Sequence, residues 1–266
     1  EQQARSSAGL WQNFNGSGGL WRRLAIEQAG GWTADTVTED FDLSYRAQLK
    51  GWRGGYINAI EAPGELPPFL SGYKRQQRRW AKGACQTLRK LAPELRRSRA
   101  PLIRRLYAGL HMAGYATHLL IFSLLLLSLP LALLPDHPWP LPIPGSLSLA
   151  ISVLPISLYA LSQQRLDGWQ GLRRLWALPV LAVVSLGFTP TLASAVIAGF
   201  SQRGGVFDRT PKQGAAARHA AVVERGPWRE LLPEAFACLV AALTLIAIAA
   251  HQRWGLAPLP LFFLVG

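Results

Sequence analysis

Cysteine and charged residues are scarce in this chain of 266 residues. The two cysteines, Cys85 and Cys238, lie far apart and give no sign of a disulfide framework or a zinc site. Charged residues make up only 16% of the sequence, whereas soluble globular domains contain about 25%. Because half of the residues are hydrophobic, the composition argues against a disordered chain and indicates a membrane protein.

The 28 basic residues outnumber the 15 acidic ones, and most of the excess lies in one block. Residues 74–105 contain twelve Lys or Arg and a single acid, Glu94, directly before the first long apolar run. Such blocks are typical of cytoplasmic segments beside a membrane. A nucleic-acid-binding patch is the competing interpretation, and the adjacent apolar runs weigh against it. We therefore expect a lipid bilayer and no nucleic acid among the partners.

Long apolar segments organise the second half of the chain. Residues 106–163 are predicted to form two transmembrane helices, and residues 231–266 one more and the start of another. Residues 175–200 are equally apolar, but arginines flank both ends, so a crossing would put one cluster on the wrong side. An interfacial or re-entrant helix, broken near Pro179 and Pro190, is predicted there. Residues 201–230 then form a cytoplasmic loop.

Residues 1–71 have the pattern of part of a soluble α/β or α+β unit. Helices are predicted at 21–28 and 41–50, each followed by glycine, and a short strand at 55–58. A unit of about 70 residues rarely forms an independent domain with a binding cleft. The chain also begins without Met and ends inside an apolar run. We therefore expect it to be a fragment of a longer protein.

Residues 72–105 are predicted to form an amphipathic interfacial helix followed by a basic linker. One side of this helix is basic and is expected to face anionic headgroups: Arg75, Arg78, Lys82 and Arg89. A separate polar and aromatic cluster consists of Gln76, Arg79 and Trp80. It has two interpretations, a membrane-interface helix with a Trp anchor, or a site where Arg79 neutralises a diphosphate and Trp80 stacks on a sugar.

The acids Glu39 and Asp40 also allow two interpretations. They follow Thr38 at a predicted helix start, where Thr and acidic residues cap the backbone and complement the helix dipole. A carboxylate at the end of an element is equally placed to accept a proton from a hydroxyl nucleophile. Two histidines on the first apolar segment, His111 and His118, are expected to face neighbouring helices or the pore rather than a metal, because their spacing separates the rings by roughly 10 Å.

Several motifs, taken together, resemble the C-terminal half of a membrane-bound glycosyltransferase of family 2, of the cellulose-synthase-like group. They are NGSGGLWRR at 15–23, GGW at 30–32, TEDFDLSYR at 38–46, GW at 51–52, QQRRW at 76–80 and FDRTPK at 207–212. The resemblance covers nearly the whole chain. It implies the C-terminal part of an α/β, GT-A-type catalytic domain, followed by an α-helical transmembrane region with interfacial helices.

The resemblance also implies roles for individual residues. Asp40 would be the general base, and Glu39 would orient it or bind an acceptor hydroxyl. Trp80 would stack on the acceptor sugar, with Gln76 and Arg79 facing the acceptor and the diphosphate. Three residues of the last motif would belong to a gating loop that closes over the nucleotide: Phe207, Thr210 and Lys212.

The implied activity is inverting transfer of a sugar from a UDP-sugar to a growing, β-glucan-like polysaccharide, coupled to translocation across the inner (plasma) membrane. The catalytic side would be cytoplasmic. Mg²⁺ or Mn²⁺ is expected for the full-length protein, with its site outside this chain, because the acids before residue 38 do not form the D-x-D pattern. Arg209 replaces the valine of bacterial cellulose synthases and favours other branches of the family. The alternatives are a non-processive transferase acting on a lipid or small acceptor, and an inactive membrane scaffold; the sequence specifies no secretion subunit.

Overall fold

The computed structural model describes residues 2–134, 145–206 and 228–266. Ten α-helices occur in this part of the chain, joined in places by short 3-10 turns. In chain order they are α1 (Gln2–Ser7), α2 (Arg23–Gln28), α3 (Glu39–Leu49), α4 (Leu70–Arg97), α5 (Leu102–Met112), α6 (Ala116–Leu133), α7 (Gly145–Gly171), α8 (Ala177–Ser201), α9 (Leu232–His251) and α10 (Pro258–Val265).

The described residues contain helices but no β-strand. The expected α/β class of the catalytic domain is therefore not confirmed. The strand predicted at 55–58 is wrong, because this segment is irregular and turns at Asn58. An extended segment needs a neighbouring strand to take up its backbone hydrogen bonds. Among the described residues none runs beside it.

Helix α3 begins two residues before the predicted start because three acids occupy its first turn: Glu39, Asp40 and Asp42. Their negative charge complements the positive end of the helix dipole. The preceding residue, Thr38, makes no side-chain capping hydrogen bond, so the capping role considered for it is absent. The helix ends before Gly51, whose φ of +96° suits glycine.

The described chain divides into two units, residues 1–122 with 189–233 and residues 123–188 with 234–266. The first unit is centred on Tyr45 of α3, which is fully buried. Around it pack residues from the N-terminal segment, α4 and α5: Trp11, Leu91, Leu95, Ala108 and Met112. The core therefore fixes α3 against α4, the two helices that carry most of the predicted site residues.

The second unit is built from apolar helices. Its buried centre joins Ala132 of α6 to Ala247 and Ile248 of α9. Polar contacts support this packing, since Arg253 donates a hydrogen bond to the carbonyl of Leu131 at 2.6 Å. Small residues at the contact allow close approach of the helices, as is common in membrane proteins.

Three segments among the described residues are long and apolar enough to cross a membrane: Ala116–Leu133, Val153–Ser201 and Leu232–His251. The first predicted span is in fact two helices, because the chain turns between α5 and α6. The predicted breaks near Pro179 and Pro190 are wrong, since α8 runs through both. Pro179 lies in the first turn, where its missing N–H is tolerated. The chain is interrupted instead at Asp167 and Gly168.

Candidate active site

Asp40 lies in the first turn of α3 and is half-buried. Its Oδ1 accepts a hydrogen bond from the backbone N–H of Phe41 at 2.8 Å. The other carboxylate oxygen faces Gly16, where an added Cβ would lie 2.8 Å from Oδ2. The glycine-rich loop at 15–19 therefore passes directly beside the acid, and Gly16, with a φ of +80°, leaves room for it.

The environment of Asp40 favours its protonated form. Burial raises the pKa of the carboxyl, and the negative charge of Glu39 raises it further. The N–H of Phe41 and the positive charge of Arg79 act in the opposite direction, but burial dominates. A carboxylate with a raised pKa is a stronger base than an exposed aspartate, as a general base requires.

The predicted cluster on α4 belongs to the same unit as Asp40. Gln76 and Arg79 are partly buried, whereas the indole of Trp80 is 39% exposed and so offers a face for stacking. Helix α4 meets the start of α3 three residues after Trp80, where Gly83 packs against Thr38. Arg79 is close enough for its charge to act on Asp40. The structure thus brings the acid and the α4 cluster into one neighbourhood.

Asp42, the third acid of the motif, holds neighbouring segments together and is not exposed to substrate. Its side chain is fully buried and accepts bonds from Arg46 Nε at 2.8 Å, Lys90 Nζ at 2.9 Å and Thr33 Oγ1 at 3.1 Å. Arg46 also donates to the carbonyls of Ala29 and Gly31. This network ties the 29–35 loop to α3 and α4, and it leaves Asp42 inaccessible to a sugar.

Lys82 and Arg89, which were predicted to face lipid headgroups, bind protein instead. Lys82 Nζ donates to Gln202 Oε1 at 2.9 Å, and Arg89 donates to the carbonyls of Phe200 and Gln202 at 2.5 and 2.7 Å. These carbonyls lie at the C-terminal end of α8, where a cation complements the helix dipole. The prediction therefore fails for Lys82 and Arg89, because the periodicity of α4 does not reveal which element covers its face.

Sequence reasoning missed Gln86. Its side chain is 1% exposed and makes hydrogen bonds to the backbone of Val37 and Gly204. The available signal was a large polar residue within the buried run of mostly small residues at 83–87, because buried amides need specific partners.

The predicted gating residues Phe207, Thr210 and Lys212 lie outside the described residues, and their roles stay predictions.

The two histidines contact neighbouring helices, as predicted. His111 Nδ1 lies 2.5 Å from the hydroxyl of Tyr45, and His118 Nδ1 lies 3.0 Å from Thr189 Oγ1. Within residues 2–134, 145–206 and 228–266, no three His, Cys, Asp or Glu side chains form a group that could hold a metal ion. The described residues therefore do not fit the expected Mg²⁺ or Mn²⁺, and no chemical step is assigned to a metal.

A cavity of about 590 Å³ in the first unit lies away from Asp40 and Trp80. It is bordered by Trp11, Trp52 and three arginines, Arg53, Arg99 and Arg104. None of the predicted site residues lines it. This cavity is therefore separate from the candidate site around Asp40.

Comparison with models of known protein families finds a match to nearly the whole chain. The family model described as glycosyl transferase family group 2 matches residues 2–265. The chain belongs to this family. The resemblance seen in its motifs is thereby confirmed.

Plant enzymes are among its relatives. The chain is 43% identical over 99 residues to probable glucomannan 4-beta-mannosyltransferase 4 of Oryza sativa subsp. japonica. This aligned region covers 37% of the chain and 18% of the relative. It is 36% identical over 138 residues to glucomannan 4-beta-mannosyltransferase 7 of Arabidopsis thaliana, covering 50% of the chain and 25% of the relative. The matched region thus spans about a quarter or less of these relatives. No solved structure matches the chain.

Proposed function

We propose that the protein transfers a hexosyl group, with inversion, from a nucleotide-sugar to a hydroxyl of a glycan at a membrane. The observation that carries this proposal is the half-buried carboxyl of Asp40. It lies beside the glycine-rich loop, and the positive charge of Arg79 acts on it. Membership of glycosyl transferase family group 2 supports the same reaction class.

In the proposed reaction, Asp40 accepts the proton of the acceptor hydroxyl as its oxygen attacks the anomeric carbon. The bond between this carbon and the diphosphate oxygen breaks, and the nucleoside diphosphate leaves with the electron pair. Attack opposite the leaving group inverts the anomeric configuration. Arg79 stabilises the negative charge that develops on the diphosphate. Trp80 supports the acceptor ring, while Gln76 and Glu39 hydrogen-bond to its hydroxyls.

The sugar is proposed from the relatives rather than from the site. Their names describe 4-beta-mannosyltransferases acting on glucomannan, whereas the motif resemblance implied a UDP-sugar and a β-glucan-like product. We therefore propose a β-linked hexan that contains mannose, and a nucleoside diphosphate sugar as donor. Membranes supplied separately with GDP-mannose and UDP-glucose, followed by linkage analysis of the product, distinguish these donors.

The apolar helices support a further part of the proposal, which is that a processive enzyme with its catalytic side in the cytoplasm passes the growing chain across the inner (plasma) membrane. Three candidate spans accompany the site in the same chain. Product length tests this point, since a processive enzyme releases long polymers even at low conversion. Short oligomers alone would instead favour the non-processive transferase that acts on a lipid or small acceptor.

Replacement of Asp40 by Asn tests the reaction itself and separates an enzyme from an inactive scaffold. We expect sugar incorporation by membranes containing the whole protein to fall by about a hundredfold or more, because the base is lost. The fold should be kept, since burial disfavours the charged form that Asn removes. Glu27→Gln is the matched control, because this carboxylate is exposed and its ion pair with Arg23 lies within α2. Unchanged incorporation by Asp40→Asn would refute the assignment.

A further inference from the structure

The amide of Gln86 connects three separate segments of the first unit. Its Oε1 accepts the backbone N–H of Val37 at 2.9 Å, just before α3. Its Nε2 donates to the carbonyl of Gly204 at 2.8 Å and to that of Gln202 at 3.3 Å. One buried side chain of α4 therefore binds both the approach to Asp40 and the segment that follows α8.

These two segments also touch each other directly. The N–H of Gly204 donates to the carbonyl of Asp35 at 2.8 Å. A Cβ on Gly205 would lie 3.0 Å from both Val37 Cγ1 and Lys82 Nζ. Residues 35–37 and 202–205 thus form a close backbone junction, and the side chain of Gln86 lies at its centre.

We propose that Gln86 is a positioning residue for sugar transfer, which acts through the Val37 N–H to hold the 37–40 turn and hence the carboxylate of Asp40. The proposal rests on the proposed function. Val37 is buried, so without Gln86 its N–H would have to remain unpaired or move to a new partner. Because only two residues separate Val37 from Asp40, such a movement of the backbone displaces the carboxylate of Asp40.

The chemistry of the junction calls for an amide. Position 86 must offer an acceptor to Val37 and a donor to Gly204 at the same time, and glutamine supplies both from one planar group. Methionine fills a similar volume but offers only a weak sulfur acceptor and no donor. Asparagine carries the same amide on a side chain that is one methylene shorter, so it cannot reach Val37 and Gly204 at the same time.

Gln48 provides a matched control. It is also a buried amide, and it exchanges two hydrogen bonds with the backbone of Gln12, at 2.9 and 2.6 Å. It lies at the opposite end of α3 from Asp40. Gln86→Met and Gln48→Met therefore remove the same kind of interaction, but only Gln86 bonds to the backbone just before Asp40.

The experiment compares these two variants in the whole, membrane-embedded protein by hydrogen exchange and by steady-state sugar transfer. We expect faster exchange at residues 35–38 and 202–205 in Gln86→Met but not in Gln48→Met. The kcat of Gln86→Met should fall by about ten- to a hundredfold with the donor KM unchanged, as expected for a misplaced catalytic group. Gln86→Asn is a second variant in case the first does not fold, and its kcat should also fall below that of the wild type with the donor KM unchanged.

Unchanged exchange at residues 35–38 in Gln86→Met would overturn the proposal. A kcat equal to that of Gln48→Met, or a loss confined to KM, would overturn it as well. If the wild-type protein transfers no sugar, the proposed function fails, and with it the positioning role. The exchange result then decides separately whether Gln86 holds the two segments together.

Discussion

A Cβ atom on Gly83 would lie 2.8 Å from the Cβ of Thr38, well inside van der Waals contact. At this glycine α4 packs against the residue that precedes α3. The contact places the helix that carries Trp80 against the turn that carries Asp40. The geometry of the candidate site therefore depends on the absence of a side chain at position 83.

Gly83→Ala should consequently destabilise the protein, by about 1–3 kcal/mol in the free energy of unfolding. Helix propensity alone predicts the opposite sign, because alanine is favoured over glycine within a helix. Chemical unfolding of the detergent-solubilised protein measures the difference. Gly55→Ala is the control, since a Cβ there meets nothing within 4 Å. A stabilised Gly83→Ala variant would show that the two helices do not pack this closely.

The buried position of Asp42 leads to a second prediction. Asp42→Asn leaves Arg46 and Lys90 without the carboxylate they share, and we expect a loss of about 3 kcal/mol in unfolding free energy. Asp35→Asn removes another partner of Lys90, but this side chain is 47% exposed, so the loss should stay below about 1 kcal/mol. Thermal or chemical unfolding of both variants compares them. Equal losses would contradict the structural role assigned to Asp42.

Local sequence signals predicted α3 and most of α4. Glycine after α3 and the spacing of Phe41, Tyr45 and Leu49 were sufficient, because these features act within a few turns of one helix. The end of α4 was less predictable. The sequence predicted a helix and a linker within residues 72–105 without a boundary between them. The helix continues through Pro93 to Arg97, and the burial of Leu91 and Leu95 in the core stabilises this part.

The missed part of the site depends on residues that are distant in the chain. Gln86 bonds to Gly204, which is 118 positions away, and Arg89 bonds to Phe200, which is 111 positions away. Helical periodicity assigned Arg89 to a basic face but carried no information on what covers that face. The resemblance to a known family predicted Asp40 and Trp80 as site residues, and this stays a prediction, whereas the contacts around them required the structure.

The charges around Asp40 predict opposite shifts in the pH dependence of transfer. Asp40 must be ionised to accept a proton, so activity should fall as the pH drops through its pKa, which burial raises. Arg79→Gln removes a positive charge that lowers this pKa, and its acid limb should therefore move to higher pH. Glu39→Gln removes a negative charge that raises the pKa, so its limb should move to lower pH.

Profiles of kcat/KM against pH for the two variants and the wild type test this prediction. Both variants are expected to lower the maximum rate, since both residues are proposed to contact substrate. The position of the acid limb separates an effect on the base from a loss of binding, which lowers the profile without moving it. Limbs that shift in the same direction, or not at all, would mean that the group titrating in the reaction is not Asp40.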